Sequence, residues 1–118
     1  MKRIGRLNQR QSIIIIVKTF EQIRQQLING EFGFSRHALK RAVERNISEQ
    51  EIRQVAENAQ VIEEYPEDKY SPSCLIFGQT KNQRPLHLQV SFADTENVRI
   101  ITLYEPNPAE WIDFRERR

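Results

Sequence analysis

Hydrophobic residues early in the chain recur at the spacing of an amphipathic helix. Phe20, Ile23 and Leu27 lie on one helical face. Thr19 begins a T-x-x-Q capping box, so the pattern predicts a helix over Thr19–Asn29.

Two more helices are predicted in the stretch that follows. Ser35 is a good N-cap for a helix over Arg36–Arg45, and the S-E-Q-E box at Ser48 starts another over Glu49–Asn58. The helix over Arg36–Arg45 has an apolar face that is expected to be buried, and this face comprises Ala38, Leu39, Ala42 and Val43.

After residue 60 the hydrophobic period changes to that of β-strands. Short apolar and β-branched runs separated by turn residues predict strands over Val61–Tyr65, Ser73–Gly78, Leu86–Ala93 and Val98–Tyr104. The links are too short for parallel crossovers, so the four strands should form an antiparallel meander. Pro108 is placed to begin a short C-terminal helix. The predicted fold is α+β, with three N-terminal helices packed on one face of a four-stranded antiparallel sheet.

The N-terminal segment differs from the rest. Residues 1–12 are polar, basic and without periodicity, which indicates a tail, while Ile13–Val17 fits either an edge strand or the lead-in to the first helix. The apolar run is too short for a signal peptide or a membrane span. We therefore expect one domain over residues 18–118 after a basic segment 1–17. The single cysteine, Cys74, fits a reducing compartment, and a cytoplasmic location is expected.

Charge is distributed unevenly along the chain. Residues 1–45 contain ten Lys/Arg against three Asp/Glu, whereas residues 46–114 contain five against twelve. Thirteen of the eighteen basic residues are arginines, whose planar guanidinium suits phosphate groups. This asymmetry raises the expectation of an anionic partner such as RNA.

One helix face concentrates this basic charge. His37, Arg41 and Arg45 recur at i, i+4 and i+8 on the side opposite the apolar face, and Lys40 flanks them. We call His37, Arg41 and Arg45 the basic row. The basic row indicates either a phosphate-binding surface or an ordinary solvated helix face.

The last predicted hairpin supplies a second candidate site. If D-T-E-N forms its turn, His87 lies across from Tyr104 and Gln89 across from Thr102, with all four on one polar face. Either these side chains form a site or the face is simply wet, as in many antiparallel sheets.

Metal and cofactor motifs are absent from the sequence. Cys74, His37 and His87 are the only nitrogen or sulfur ligands, and they lack paired ligand spacing. No cofactor or metal is therefore expected.

A set of motifs resembles a known bacterial family. In order, they are SRHALKRAVERNIS, VIEEYP, PSCLIFG, RPLHLQV, IITLYEP and a tryptophan near a basic end. Over roughly residues 18–118 the chain resembles the domain of unknown function 4258. The resemblance implies a RelE-like fold and kinship with MqsR-type mRNA interferases, toxins often paired with a zinc-ribbon antitoxin. In such toxins the catalytic residues lie on the exposed sheet face, which by position indicates His87 and Tyr104. Lysines are usual there, and Lys69 is the nearest in this sequence.

The leading hypothesis is a toxin that cleaves mRNA, on or off the ribosome, without a metal ion. The ribose 2′-hydroxyl would attack the adjacent phosphorus and leave a cyclic phosphate. His87 is the expected acid–base group with Tyr104 as its partner, and His37 is the alternative base. The expected RNA and phosphate contacts are Arg41, Arg45, Lys40, Gln89, Thr102 and Lys69. The alternative hypothesis is a non-catalytic RNA-binding or protein-interaction module.

Overall fold

The computed structural model describes residues 2–6 and 14–118. Its helices are α1 (Phe20–Ile28), α2 (Arg36–Glu44) and α3 (Glu49–Glu57). Its strands are β1 (Lys2–Arg6), β2 (Ile14–Lys18), β3 (Phe32–Phe34), β4 (Gln60–Tyr65), β5 (Ser73–Gln79), β6 (Pro85–Ser91), β7 (Val98–Tyr104), β8 (Trp111–Ile112) and β9 (Glu116–Arg117).

The three helices begin at the predicted caps. The Thr19 hydroxyl accepts from the Gln22 N–H at 3.1 Å, and the Gln22 side chain accepts from the Thr19 N–H at 2.9 Å. Ser48 and Glu51 form the same reciprocal pair, and Ser35 caps α2 through the N–H three residues later. Each cap satisfies backbone donors that have no partner within the helix, which stabilises it by about 1 kcal/mol. The predicted helices are confirmed.

The main sheet has five strands in the order β3-β7-β6-β5-β4. The antiparallel meander of β4 to β7 is confirmed, but β3 pairs in parallel with β7, so the prediction of a four-stranded antiparallel sheet is wrong. The backbone N–H of Val98 donates to Glu31 O and that of Ser35 to Ile100 O, both at 3.0 Å. The three residues F-G-F are too few to show a strand period, and short links exclude parallel pairing only between consecutive strands.

The β6–β7 pairing matches the predicted register at its centre. His87 lies opposite Tyr104 and Gln89 opposite Thr102, but Val90 then pairs with Ile100. The extra residue in β7 is a β-bulge at Ile101, which the assumed tight turn did not allow for. The bulge places two consecutive residues of β7 between inward-facing Ile100 and Leu103.

The helices pack on one face of the sheet. The core contains Ile23 and Leu27 of α1, the small residues of α2, three residues of α3 and the inward-facing side chains of β5, β6 and β7. In α2 only Ala38 and Ala42 are buried, whereas Leu39 is 52% and Val43 74% exposed. The prediction that all four are buried is wrong, because the surface facing β7 covers a narrower arc of the helix than its apolar stripe.

Arg84 fixes the end of α2 to the β5–β6 hairpin. Its guanidinium donates to the carbonyls of Arg45 and Asn46, each at 2.9 Å, and contacts the carboxylates of Glu51 and Glu105. Cationic donors at the C-terminal carbonyls of a helix satisfy its free acceptors and complement its dipole. The basic row of α2 is therefore held in a defined position beside the sheet.

The predicted C-terminal helix is not formed. A single turn at Asn107 is followed by a two-stranded hairpin of β8 and β9, which reverses at Asp113 and Phe114 with φ of 49° and 60°. A segment this short gains little as a helix, whereas the hairpin buries Trp111 to 3% exposure. We call residues 111–117 the C-terminal hairpin.

The N-terminal strands extend the fold beyond the predicted domain. Lys2–Arg6 pairs antiparallel with Ile14–Lys18, so residues 2–6 are a strand where a tail was predicted, and the apolar run adopts its strand alternative. A bridge between Val17 and Ala93 joins β2 to the end of β6. Residues 1 and 7–12 of the predicted tail, and Ile13, lie outside the described residues.

Candidate functional site

The outer face of the sheet, opposite the helices, has two unlike halves. One half lies around His87 and Tyr104 and is covered by the C-terminal hairpin. The other half lies around Gln89 and Ser91 and borders the loop of residues 66–72. A ligand can therefore reach side chains in the second half but not those beneath the C-terminal hairpin.

His87 is completely buried beneath the C-terminal hairpin, so the expectation that it faces solvent is wrong. Its Nε2 lies 2.6 Å from the carbonyl oxygen of Phe114, and its Nδ1 lies 3.2 Å from the hydroxyl of Tyr104. A carbonyl only accepts, so Nε2 carries the proton and Nδ1 accepts from Tyr104. The ring meets Trp111 edge-on at 4.5 Å. Burial lowers the pKa of His87, which favours the neutral ring.

Charged and aromatic contacts fasten the C-terminal hairpin over this half. Arg117 donates to both oxygens of Glu63 at 2.8 and 3.1 Å and stacks on Trp111 at 4.7 Å. Burial by itself would raise the pKa of Glu63, but hydrogen bonds from Arg117 and Tyr65 outweigh it and hold that pKa below its usual value. Arg115 adds a second cation–π contact, 4.8 Å from the ring of Phe77. His87 therefore belongs to a packed structural cluster.

The open half contains a cleft of about 420 Å³. The beginning of α2, the outward side of β7, the end of β6 and the 66–72 loop form its walls. Its lining residues are Ser35, His37, Asp68, Tyr70, Ser71, Ser91, Arg99 and Ile101. His37, Tyr70 and Arg99 are exposed to solvent, so a ligand in the cleft meets an imidazole, an aromatic ring and a guanidinium.

The 66–72 loop is tied to the sheet. The Oδ2 of Asp68 accepts from the Ser73 hydroxyl at 2.7 Å and from the amide of Gln89 at 3.2 Å. The hydroxyls of Ser71 and Ser91 lie 2.7 Å apart. These bonds hold one wall of the cleft in place.

The basic row borders the outer face along β7. His37 at its start lines the cleft beside Arg99, and Arg45 at its end donates to the carbonyl of Leu103 at 2.7 Å. Arg41, between them, is paired with Glu44 at 2.8 Å. The basic row thus runs along the edge of the outer face, and Glu44 partly neutralises the charge of Arg41 at its centre.

The other predicted site residues are distributed over both halves. Gln89 is bonded to Asp68, and Thr102 lies across from Gln89 on β7. The ammonium of Lys69 lies 5.4 Å from the centre of the Tyr70 ring. Lys40 lies on the exposed side of α2, 4.0 Å from Glu44. Of the predicted site residues, only His37 lines the cleft itself, while Lys69 and Gln89 contact its lining residues Tyr70 and Asp68.

Of the eight lining residues, seven were not predicted as site residues, and among these Arg99, Tyr70 and Asp68 carry a charge or an aromatic ring. Strict alternation from Thr102 and Tyr104 would place Arg99 on the inner face, and it faces outward because the bulge at Ile101 reverses the alternation. Tyr70 and Asp68 belong to the segment P-E-D-K-Y-S-P, whose loop geometry has no sequence period.

Three further features were looked for among the described residues: a metal site, a reactive thiol and a membrane-spanning helix. In that part of the chain no group of three His, Cys, Asp or Glu side chains is arranged to hold a metal ion. Cys74 is buried, and burial raises the pKa of its thiol to about 12, far from the range in which thiolates form at neutral pH. None of the described helices is long and apolar enough to cross a membrane.

Comparison with known proteins places the chain in a family. The model of the family described as "Domain of unknown function (DUF4258)" matches residues 34–105. The chain belongs to this family. The matched segment covers α2 to β7, including the basic row and every lining residue of the cleft, and leaves out α1 and the C-terminal hairpin. No curated protein and no solved structure matches the chain.

Proposed function

We propose that this protein is a metal-independent endoribonuclease that cleaves RNA in the open cleft, with His37 as its proton-transferring group. The observation that carries the proposal is the convergence of His37 and Arg99 in one solvent-accessible cleft. The chain has two histidines, and His87 is buried with both ring nitrogens bonded, so His37 is the histidine that a substrate can reach.

The proposed reaction uses these two groups in different ways. His37 accepts the proton of a ribose 2′-hydroxyl as its oxygen bonds to the adjacent phosphorus, and the bond from phosphorus to the 5′-oxygen breaks. The departing oxygen takes a proton from water. Arg99 stabilises the additional negative charge on the phosphorane oxygens. The products are a 2′,3′-cyclic phosphate and a 5′-hydroxyl.

The biological role that we propose is that of a type II toxin acting on mRNA. Its support is the basic row along the outer face, together with the kinship with MqsR-type mRNA interferases that the resemblance to domain 4258 implies. The proposal includes a small zinc-ribbon antitoxin as partner, and cleavage on or off the ribosome. The catalytic role expected for His87 and Tyr104 moves in this proposal to His37.

The test is cleavage of an end-labelled RNA by wild type and three variants. His37→Ala should reduce the rate by about 10²–10⁴, the range for loss of an acid–base group. Arg99→Ala should slow cleavage, and it should reduce the steepness of log K against log salt concentration for RNA binding by about one. Lys81→Ala is the charge-matched control, because Lys81 is exposed at the opposite end of the β5–β6 hairpin, and it should behave like wild type. If wild type cleaves no RNA, with or without ribosomes, the nuclease proposal fails.

A second candidate function is RNA binding without cleavage. The observation that favours it is that His37 makes no hydrogen bond to another titratable side chain in the described part of the chain, whereas His87 does so only inside the core. A binding module requires the basic row and Arg99 but no proton transfer. In that case RNA binds with a salt-dependent affinity that His37→Ala leaves nearly unchanged, and no product appears.

A further inference from the structure

Tyr70 is an unusually exposed aromatic residue on a fixed loop. Its side chain is 88% exposed, while its neighbours in the 66–72 loop are bonded to the sheet. The backbone of Pro72 also accepts from the N–H of Phe92 at 2.9 Å. Single exposed apolar residues are common on proteins, but this ring projects from a tethered loop into the wall of a cleft that also contains His37 and Arg99.

We propose that Tyr70 is a stacking platform for one unpaired nucleobase, so that the cleft selects single-stranded over double-stranded RNA. The inference rests on the proposed function, since it names the substrate class of the same cleft. An aromatic side chain stacks on any unpaired base, whereas a base within a duplex is already stacked on its neighbours.

The surroundings of the ring fit this ligand. The ammonium of Lys69 lies 5.4 Å from the ring centre, which leaves the other side of the ring for a base and adds a cation near the sugar–phosphate chain. Arg99 and His37 supply the groups that meet a phosphate and a ribose within the same cleft. One nucleotide is thus contacted through its base by Tyr70 and through its backbone by the remaining walls.

The experiment measures binding of a short fluorescent oligonucleotide whose 2′-hydroxyls are replaced by hydrogen, so that no cleavage interferes. The same strand is tested alone, in a duplex, and with an abasic site at each position in turn, against wild type, Tyr70→Ala and Tyr70→Phe. Because the side chain of Tyr70 is 88% exposed, both variants should fold normally.

Tyr70→Ala should bind the single strand about 5- to 150-fold more weakly, the range for one stacked base, and Tyr70→Phe should bind like wild type. One abasic position should weaken binding by wild type but add nothing in Tyr70→Ala, which shows that this base and this ring contact each other.

Two results would overturn the inference and leave the RNA proposal standing: equal affinity of Tyr70→Ala and wild type, or duplex bound as tightly as single strand. If wild type binds neither the deoxy strand nor its all-RNA counterpart, the proposed function itself fails, and the stacking site fails with it.

Discussion

Replacing His87 distinguishes a structural from a catalytic histidine. If His87 holds the C-terminal hairpin on the sheet, His87→Ala should lower the free energy of unfolding by about 3–5 kcal/mol. A catalytic surface residue would instead lose activity at unchanged stability.

The magnitude follows from the contacts of the ring. The variant loses the hydrogen bonds to Phe114 and Tyr104, each worth about 1 kcal/mol, and leaves the Phe114 carbonyl without its partner at a cost of about 1–3 kcal/mol. It also removes a ring packed against Trp111 and Phe77, and comparable large-to-small changes in cores cost about 2–5 kcal/mol. These contributions overlap, so the total is about 3–5 kcal/mol. A domain of this length has roughly 6–18 kcal/mol in all.

The assay is urea denaturation at neutral pH, followed by far-UV circular dichroism and tryptophan fluorescence. Trp111 is the single tryptophan and contacts His87 directly, so its emission reports on the C-terminal hairpin. His37→Ala is the matched control, and its exposed side chain predicts a change within about 0.5 kcal/mol. An unchanged unfolding midpoint in His87→Ala would refute the structural role.

Two further predictions concern pH and packing. Burial lowers the folded-state pKa of His87 from its ordinary 6.5, so below about pH 6.5 the unfolded chain binds a proton that the folded chain does not, and stability should fall with falling pH. Between pH 6.5 and 5 the free energy of unfolding, measured by urea denaturation, should fall by at most about 1.4 kcal/mol per pH unit. The same pH dependence in His87→Gln would show that His87 is not its cause. A Cβ on Gly78 would lie 2.4 Å from the carbonyl oxygen of Val55, so Gly78→Ala should destabilise by about 1–3 kcal/mol in the same denaturation assay. Gly33→Ala, whose Cβ meets no atom within 4 Å, should be neutral or slightly stabilising, and equal effects of the two substitutions would contradict the packing of α3 on β5.

Elements with local signals were predictable from the sequence. The capping residues Thr19, Ser35 and Ser48 satisfy helix donors only a few residues away, so their pattern is visible without tertiary information. The facing of His87 and Tyr104 was also predictable, because strand alternation and a short connection constrain the register.

Features that depend on distant contacts were not predictable in this way. Strand β3 is defined by its pairing with β7, more than sixty residues later. The C-terminal segment forms a hairpin because Trp111 is buried against the outer face of the sheet. The helical spacing of Trp111 and Phe114 gives no sign of that contact. The same hairpin covers His87, which is why this residue is buried although the sequence predicted it on the exposed sheet face.

The candidate site was predicted only in part for the same reason. His37 was selected by its chemistry and lines the open cleft, whereas Lys69 was selected through the family resemblance and lies against Tyr70, which is a lining residue. Tyr70 and Asp68 become cleft residues through hydrogen bonds between the 66–72 loop and side chains on β5 and β6. No local pattern contains that information.

The most direct test of the central claim compares two strands that differ by a single oxygen. The first is an RNA that wild type cleaves, and the second carries a 2′-deoxy nucleotide on the 5′ side of the scissile phosphate. If His37 activates the 2′-hydroxyl in the open cleft, wild type should convert the first strand to a 2′,3′-cyclic phosphate and leave the second intact. His37→Ala should cleave the first about 10²–10⁴ times more slowly while binding it normally. Cleavage of the deoxy strand at the same phosphate, or full activity in His37→Ala, would contradict the account.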